Sequence, residues 1–276
     1  TILADKVRDF QSDLVIWGGI LGAIDIKLSG YLYQNYQVRG IAAGFMLGCV
    51  LLWWCARQIP PVSQLEETAF SKKLHLPLTQ VIQRLWQHPQ LVSLLFIILL
   101  LMLANSPYYI LITTKIHHDH ISLSHYTTLN SLAMFVGIIG ALLYKTKLLS
   151  QFSAKNTLII LVFLYGLTLL GLSLSVNFYQ FGLIYILGNL LSGVLAIHIL
   201  TLVLRQISLS SDLSAISPLI NGILASLFYL ASLVGQTCTN LALNHAISYK
   251  TILIAMFILQ LICIGGLLLR KTDHEN

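Results

Sequence analysis

Two charged residues, Asp25 and Lys27, lie within the apolar stretch 14–33. An ionised side chain in hydrocarbon costs at least about 2.5 kcal/mol, so each must face protein, water or a partner. The two side chains are about 200° apart on a helix and do not pair on one face. Asp25 is therefore a candidate carboxylate for binding a proton or a substrate headgroup. The alternatives are a structural ion pair with a base elsewhere in the protein and a position at the membrane interface.

Polar side chains also recur at steps of three and four residues in two other apolar stretches, which places them on one face of each helix. Such a face lines an aqueous cavity or mediates close contact between helices, and both interpretations stay open. The side chains concerned are Tyr185, Asn189 and Ser192 in the stretch 181–204, and Tyr229, Ser232 and Gln236 in the stretch 217–241.

A helix breaker lies within a third apolar stretch, where Asn105 and Ser106 precede Pro107. Because proline has no backbone N–H, it must interrupt the hydrogen-bond ladder of a helix. The interruption predicts a gating kink or a tolerated bend. Asn130, in the next apolar stretch, is a further candidate for a substrate or ion pathway.

All these residues must be positioned by membrane-spanning helices. A helix needs about 20 apolar residues to cross a hydrocarbon core of about 30 Å, and eight stretches of this kind are present. Hydrophobic residues make up 57% of the chain and charged residues 9%, against about 25% charged in a soluble domain. The sequence thus predicts an all-α, polytopic membrane helix bundle. The predicted spans are 14–33, 39–57, 90–112, 126–144, 156–175, 181–204, 217–241 and 250–269.

The distribution of positive charge predicts the orientation of these spans. If the long polar segment 58–89 is cytoplasmic, the inner segments hold twelve of the sixteen lysines and arginines. The outer segments hold three, Arg39, Lys115 and Lys250, and Lys27 lies within a span. This bias follows the positive-inside rule, so both termini are expected in the cytoplasm. It also accounts for the net charge of +6 without a nucleic-acid partner.

A histidine-rich segment is the place most similar to a metal site, with His117, His118, Asp119, His120 and His125. Zinc needs three or four ligands gathered by geometry, whereas these residues lie in one short polar segment on the predicted outer side. We interpret it as a solvated loop and expect neither metal nor cofactor. An intramembrane metalloenzyme that uses this cluster is the alternative of another class. His198 is interpreted as a buried, hydrogen-bonded packing residue.

The arrangement of two spans, a long loop and six spans resembles part of the major facilitator superfamily. In that resemblance, residues 1–57 are the last two helices of an N-terminal six-helix half, 58–89 an interdomain loop with an amphipathic helix, and 90–276 the C-terminal half. The polar opening at Thr1 is consistent with a piece of a longer protein. Three local stretches are similar to the lysophospholipid transporter branch: Leu85-Trp86-Gln87-His88-Pro89, Thr128 to Ser131 with Val136 to Ala141, and Leu204-Arg205-Gln206.

The resemblance implies a secondary transporter in a bacterial inner membrane, with membrane lipids and a small amphipathic or lipid substrate as partners. Lysophospholipid flipping is the first expectation, and efflux of drugs, siderophores or other amphipathic solutes is the alternative. The sequence contains no nucleotide-binding loop, Gly-x-Ser-x-Gly elbow or His-Glu-x-x-His motif. Coupling to a proton or sodium gradient, or to the lipid distribution, is therefore expected in place of ATP hydrolysis, and no enzymatic activity is expected.

Overall fold

A computed structural model describes residues 2–58, 78–145, 153–210, 213 and 217–269. These residues form nine helices and no strand, which confirms the all-helical prediction for the described part of the chain. The helices are α1 (Ile2–Gln58), α2 (Leu78–Trp86), α3 (Pro89–Asn105), α4 (Tyr108–His118), α5 (Leu123–Lys145), α6 (Ala154–Leu174), α7 (Phe178–Ser208), α8 (Ser217–Asn244) and α9 (Tyr249–Leu269).

Within the described residues, six helical segments are long and apolar enough to cross a membrane. The segment Pro89–His118 combines α3 and α4, and the other five belong to α5 to α9. These six correspond to the last six predicted spans. The predicted total of eight is not confirmed, because the first two predicted spans fall within α1, whose described apolar part is the shorter segment Ala42–Leu51.

Helix α1 consists of two arms that meet at Gln37. Its backbone has φ 51° and ψ −141°, a conformation that glycine adopts more readily than glutamine does. Beyond this point Gly40 packs onto the first arm, where an added Cβ would lie 2.7 Å from the carbonyl oxygen of Leu32. The arms are therefore in backbone contact next to the bend.

The starts of several helices follow from local sequence. Helix α6 begins after Ser153, whose hydroxyl accepts a hydrogen bond from the Asn156 backbone N–H. Asn177 caps α7 in the same way by accepting from the Gln180 N–H, and Pro89 occupies the first turn of α3, where no donor is needed. Side-chain caps thus satisfy donors that lipid cannot satisfy.

The packing of the bundle is dominated by close approaches between apolar helices. Helix α5 packs on α1 and α7, α6 packs on α7 and α9, and α3 packs on α8 and α9. Glycines permit the tightest crossing, that of α5 and α7: a Cβ on Gly140 would lie 2.5 Å from the Leu190 carbonyl oxygen, and one on Gly193 would lie 2.7 Å from that of Gly137. Small residues here mediate helix contact.

The short helix α2 matches the amphipathic helix expected from the sequence. Val81 and Leu85 are buried, and the helix packs on α3, whereas Ile82 and Trp86 are exposed. An exposed tryptophan on a helix that leads into a span is typical of the membrane interface. The position of α2 on the membrane surface and the division of the chain into two halves stay predictions.

Candidate functional site

The break between α3 and α4 lies in the middle of a membrane span and is repaired by local hydrogen bonds. Pro107 has no N–H for the carbonyl oxygen of Leu103, four residues earlier, and the hydroxyl of Ser106 donates to that oxygen instead, at 3.0 Å. The Leu111 N–H donates to the Pro107 carbonyl, also at 3.0 Å, so the ladder resumes directly after the break. The predicted interruption is therefore present and leaves the Leu103 carbonyl satisfied.

Two other helices hold this break from outside. On α9, the buried Gln260 donates through Nε2 to Oδ1 of Asn105 at 2.7 Å. On α8, Gly235 lies directly against the break, and an added Cβ would lie 2.8 Å from the Leu103 carbonyl oxygen and closer still to the Ser106 hydroxyl. We refer to Asn105, Ser106 and Pro107, with Gln260 and Gly235, as the α3–α4 hinge.

A buried aromatic stack continues from the hinge toward α7. The ring of Tyr108 stacks on Tyr185 with centroids 5.8 Å apart, and Tyr185 stacks on Phe181 at 5.9 Å. The Tyr185 hydroxyl donates to Oδ1 of Asn130 on α5 at 2.7 Å. The structure thus joins two of the predicted site residues, Asn130 and Tyr185, inside the bundle; Tyr185 is 0% exposed and lines no open surface in this conformation.

Two buried polar atoms near the hinge have no hydrogen-bond partner among the described residues: the Tyr108 hydroxyl and Oε1 of Gln260. A Cβ on Gly188 would lie 3.2 Å from the Tyr108 hydroxyl and 3.2 Å from the Thr168 hydroxyl, so both groups face that glycine. Native proteins contain few such atoms, and each calls for a reason. Both atoms lie beside the α3–α4 hinge.

The polar face of α8 is exposed, unlike the aromatic stack. Tyr229 is 79% exposed, and Gln236 is exposed and donates to the Ser232 hydroxyl at 3.1 Å. Around the same helix, the exposed side chains next to this face are mainly apolar, including Leu230 and Val234, and the exposed Thr237 hydroxyl donates to the Leu233 carbonyl of its own helix. The exposed surface of α8 is thus divided into a polar side and an apolar side.

The predicted residues of α7 are divided along the helix. Asn189 is half-buried and donates to the Tyr185 carbonyl of its own helix at 2.9 Å, while Ser192 is exposed. One predicted stripe therefore contributes to the buried core at Tyr185 and to the surface at Ser192. Whether any of these residues contacts a substrate stays a prediction.

Of the two charged side chains in the first predicted span, the structure describes that of Lys27. The side chain of Asp25 lies outside the described part of the chain. Lys27 is exposed, and its amine donates to the Thr128 hydroxyl on α5 at 2.6 Å. Gly30 packs on Thr127, with an added Cβ 2.6 Å from that side chain. This contact between α1 and α5 satisfies the lysine, and periodicity on α1 alone gives no signal of it.

A second polar cluster closes one end of the bundle around Lys115, whose burial and partners the sequence did not indicate. Lys115 is 3% exposed and forms an ion pair with Asp119 at 2.9 Å. Its amine also lies 3.4 Å from the Ser175 carbonyl and 3.4 Å from the Tyr249 hydroxyl. His118 adds a 2.9 Å contact to Asp119. We call these residues the Lys115 clasp, because they join α4 to the α6–α7 turn and to α9.

The described residues contain no group of three or more His, Cys, Asp or Glu side chains that are placed to hold a metal ion. His118 and His125 are engaged instead with Asp119 and Ser122. His198 is buried, as expected: its Nδ1 contacts the Tyr144 hydroxyl at 3.2 Å and its Nε2 contacts the Ala154 carbonyl at 2.8 Å. It is a packing contact between α5, α6 and α7.

No family model, no curated protein and no solved structure matches this chain. The class that the fold defines is a polytopic membrane helix bundle, on the basis of six helical segments with the length and apolarity of membrane spans.

Proposed function

We propose that the protein is a secondary membrane transporter of the major facilitator type, without enzymatic activity or a cofactor. In this proposal the polar face of α8 lines a water-filled path, and the α3–α4 hinge permits part of the bundle to move. The protein lies in a bacterial inner membrane with its termini in the cytoplasm, as the charge distribution predicts.

The exposed polar face of α8 is the observation that supports the proposal most. Hydrocarbon does not satisfy a phenol or an amide, and leaving such groups in lipid costs free energy. Tyr229 and Gln236 therefore require contact with protein or water, while Leu230 and Val234 beside them suit lipid. A membrane helix with both kinds of surface is suited to the boundary between lipid and an aqueous cavity.

The hinge supports motion of the bundle. Substrate sites of many transporters are formed where spans are discontinuous near the bilayer midplane. Here a span is interrupted at Pro107, and the buried Tyr108 hydroxyl and Gln260 Oε1 have no partner among the described residues. In a second arrangement of α4, both atoms could form hydrogen bonds, and these bonds would favour that arrangement. This is a physical reason for the protein to have two conformations.

The substrate class follows from the resemblance to lysophospholipid transporters, and efflux of drugs or siderophores is the alternative. Coupling to protons, sodium or the lipid distribution is part of the same proposal. Purified protein in phospholipid vesicles, given either a fluorescent lysophosphatidylethanolamine or a fluorescent organic cation, distinguishes the two. We expect movement of the lysolipid across the bilayer and none of the cation; movement of neither would contradict transport of both classes.

Gln236→Leu is expected to reduce this transport by about tenfold while leaving the amount of folded protein unchanged. The amide is exposed on the polar face, so its loss removes a hydrogen bond from the path, worth about 1.4 kcal/mol, and the bond found among the described residues is to Ser232 of its own helix. Thr237→Val is the matched control, because Thr237 is also exposed and also donates within its own helix, to the Leu233 carbonyl, but lies on the side of Val234. Equal transport by both variants would remove Gln236 from the path.

A further inference from the structure

The two arms of α1 enclose a groove of about 880 Å³. Its volume lies within the range of about 300–1,000 Å³ that is usual for small-ligand sites. The walls are mainly apolar, with Leu28 and Leu32 on the first arm and Ala43 and Leu47 on the second. Leu28 and Leu47 are more than half exposed, so the groove is an open apolar surface rather than a packed interface.

One end of the groove is charged. Arg39 lies two residues beyond the bend at Gln37 and lines the groove together with Tyr36. Among the described lining residues none is acidic, and Arg39 carries the only formal charge. A guanidinium recognises phosphate through paired, charge-assisted hydrogen bonds. The end near the bend therefore has the chemistry of a phosphate site.

The position of Arg39 matches the headgroup level of a bilayer, and the length of the groove matches one leaflet. Tyr31, Tyr33 and Tyr36 are exposed on the approach to the bend, as tyrosines are at headgroup level. From Arg39 the groove follows the second arm to Gly48, about 13 Å at 1.5 Å per residue. One leaflet of a hydrocarbon core about 30 Å thick measures about 15 Å. The groove thus starts at headgroup level and runs the depth of one leaflet.

We propose that this groove binds a phospholipid of the bilayer, with the phosphate on Arg39 and one acyl chain between the two arms of α1. An anionic headgroup such as phosphatidylglycerol is preferred, because a zwitterionic headgroup carries its own cation beside the phosphate. The proposal does not depend on transport, since it concerns binding at α1, and the candidate transport residues lie on other helices or outside the described side chains.

Photolabelling tests the binding directly. The protein is reconstituted in phosphatidylcholine vesicles that contain a small proportion of phosphatidylglycerol with a photoactivatable acyl chain, and the labelled peptides are identified by mass spectrometry. We expect labelling within residues 28–49. A phosphatidylcholine probe with the same chain should label this segment several-fold less. Equal labelling by both probes would overturn the preference for an anionic headgroup.

Two matched pairs of variants separate the chain from the headgroup. Gly48 has nothing within 4 Å of an added Cβ, and the same holds for Gly265 on α9, so leucine can be introduced at either position without a clash at Cβ. Gly48→Leu should lower the labelling of 28–49 by about fourfold, the equivalent of one methylene group lost from burial, and Gly265→Leu should not. Arg39→Gln should lower it by about tenfold, whereas Arg57→Gln, at the far end of α1, should not.

The same measurement has outcomes that would overturn the proposal. Label on α6 peptides, which contain none of the substituted positions, serves as the reference for reconstituted, folded protein in every variant. Equal labelling of 28–49 in Gly48→Leu and Gly265→Leu would overturn the groove as an acyl-chain site. Absence of label at 28–49, with the reference peptides labelled, would overturn the groove as a lipid site. Labelling as expected in vesicles that show no transport would contradict the proposed function alone.

Discussion

Gly235→Ala is expected to lower the free energy of unfolding by about 2–3 kcal/mol, near the upper part of the usual range for overpacking. The new Cβ would lie 2.8 Å from the Leu103 carbonyl oxygen and would overlap the Ser106 hydroxyl. The hydroxyl can rotate away, but the Leu103 carbonyl then loses its hydrogen bond, because Pro107 has no N–H to donate in its place. The backbone of α3 or α8 must therefore shift. Thermal unfolding of the purified protein in detergent measures the loss.

Gly265→Ala is the control for this substitution. Gly265 also lies within a spanning helix, but an added Cβ there meets nothing within 4 Å. Alanine at this position should leave stability unchanged or raise it by up to about 1 kcal/mol, because glycine is the poorer helix former. If the two variants unfold at the same temperature, α8 does not pack tightly on the hinge.

Asp119→Asn is expected to cost about 2–3 kcal/mol, because it removes the counter-charge of the buried Lys115. The cost lies below that of breaking a fully buried pair, about 3–5 kcal/mol, since the Asp119 side chain is 32% exposed and the Ser175 carbonyl and Tyr249 hydroxyl remain near the amine. The loss should appear as a lower unfolding temperature at neutral pH.

A double variant and a pH series test the physical reason for that loss. Lys115→Met combined with Asp119→Asn should recover most of the lost stability, because no charge then remains buried. Burial raises the pKa of Asp119, but hydrogen bonds from His118 and Lys115 outweigh it and hold the pKa below its usual value. The clasp therefore contributes fully above pH of about 3.9 and loses its contribution as pH falls through the lowered pKa. A double variant as unstable as Asp119→Asn would contradict this account.

The spans of this protein could be predicted from the sequence because the length of an apolar run is a local property. Five predicted spans differ from the helices α5 to α9 by a few residues at each end, and the break at Pro107 was visible because proline acts on its own helix. The first two predicted spans are not confirmed, because the apolar segment found among the described residues of α1 is only Ala42–Leu51.

The contacts that complete the site were not predictable in this way. Gln260 is 155 residues from Asn105, and Lys27 is 101 residues from Thr128, so no periodicity on one helix indicates these partners. Periodicity also assigns a face to a helix without saying what covers it, which is why one stripe contains both the buried Tyr185 and the exposed Ser192. Lys115 was counted with the outer charges, yet its side chain is buried, and its amine contacts Asp119, Ser175 and Tyr249.

Cysteine accessibility at the polar face of α8 tests the central claim most directly. In a background without the native cysteines, single cysteines replace Gln236 and Leu230, and the reconstituted protein is treated with a charged, membrane-impermeant thiol reagent. The account predicts reaction at position 236, slowed by lysophospholipid, and no reaction at position 230, because only the polar side faces water. Equal protection of both positions from the reagent would contradict a water-filled path along α8.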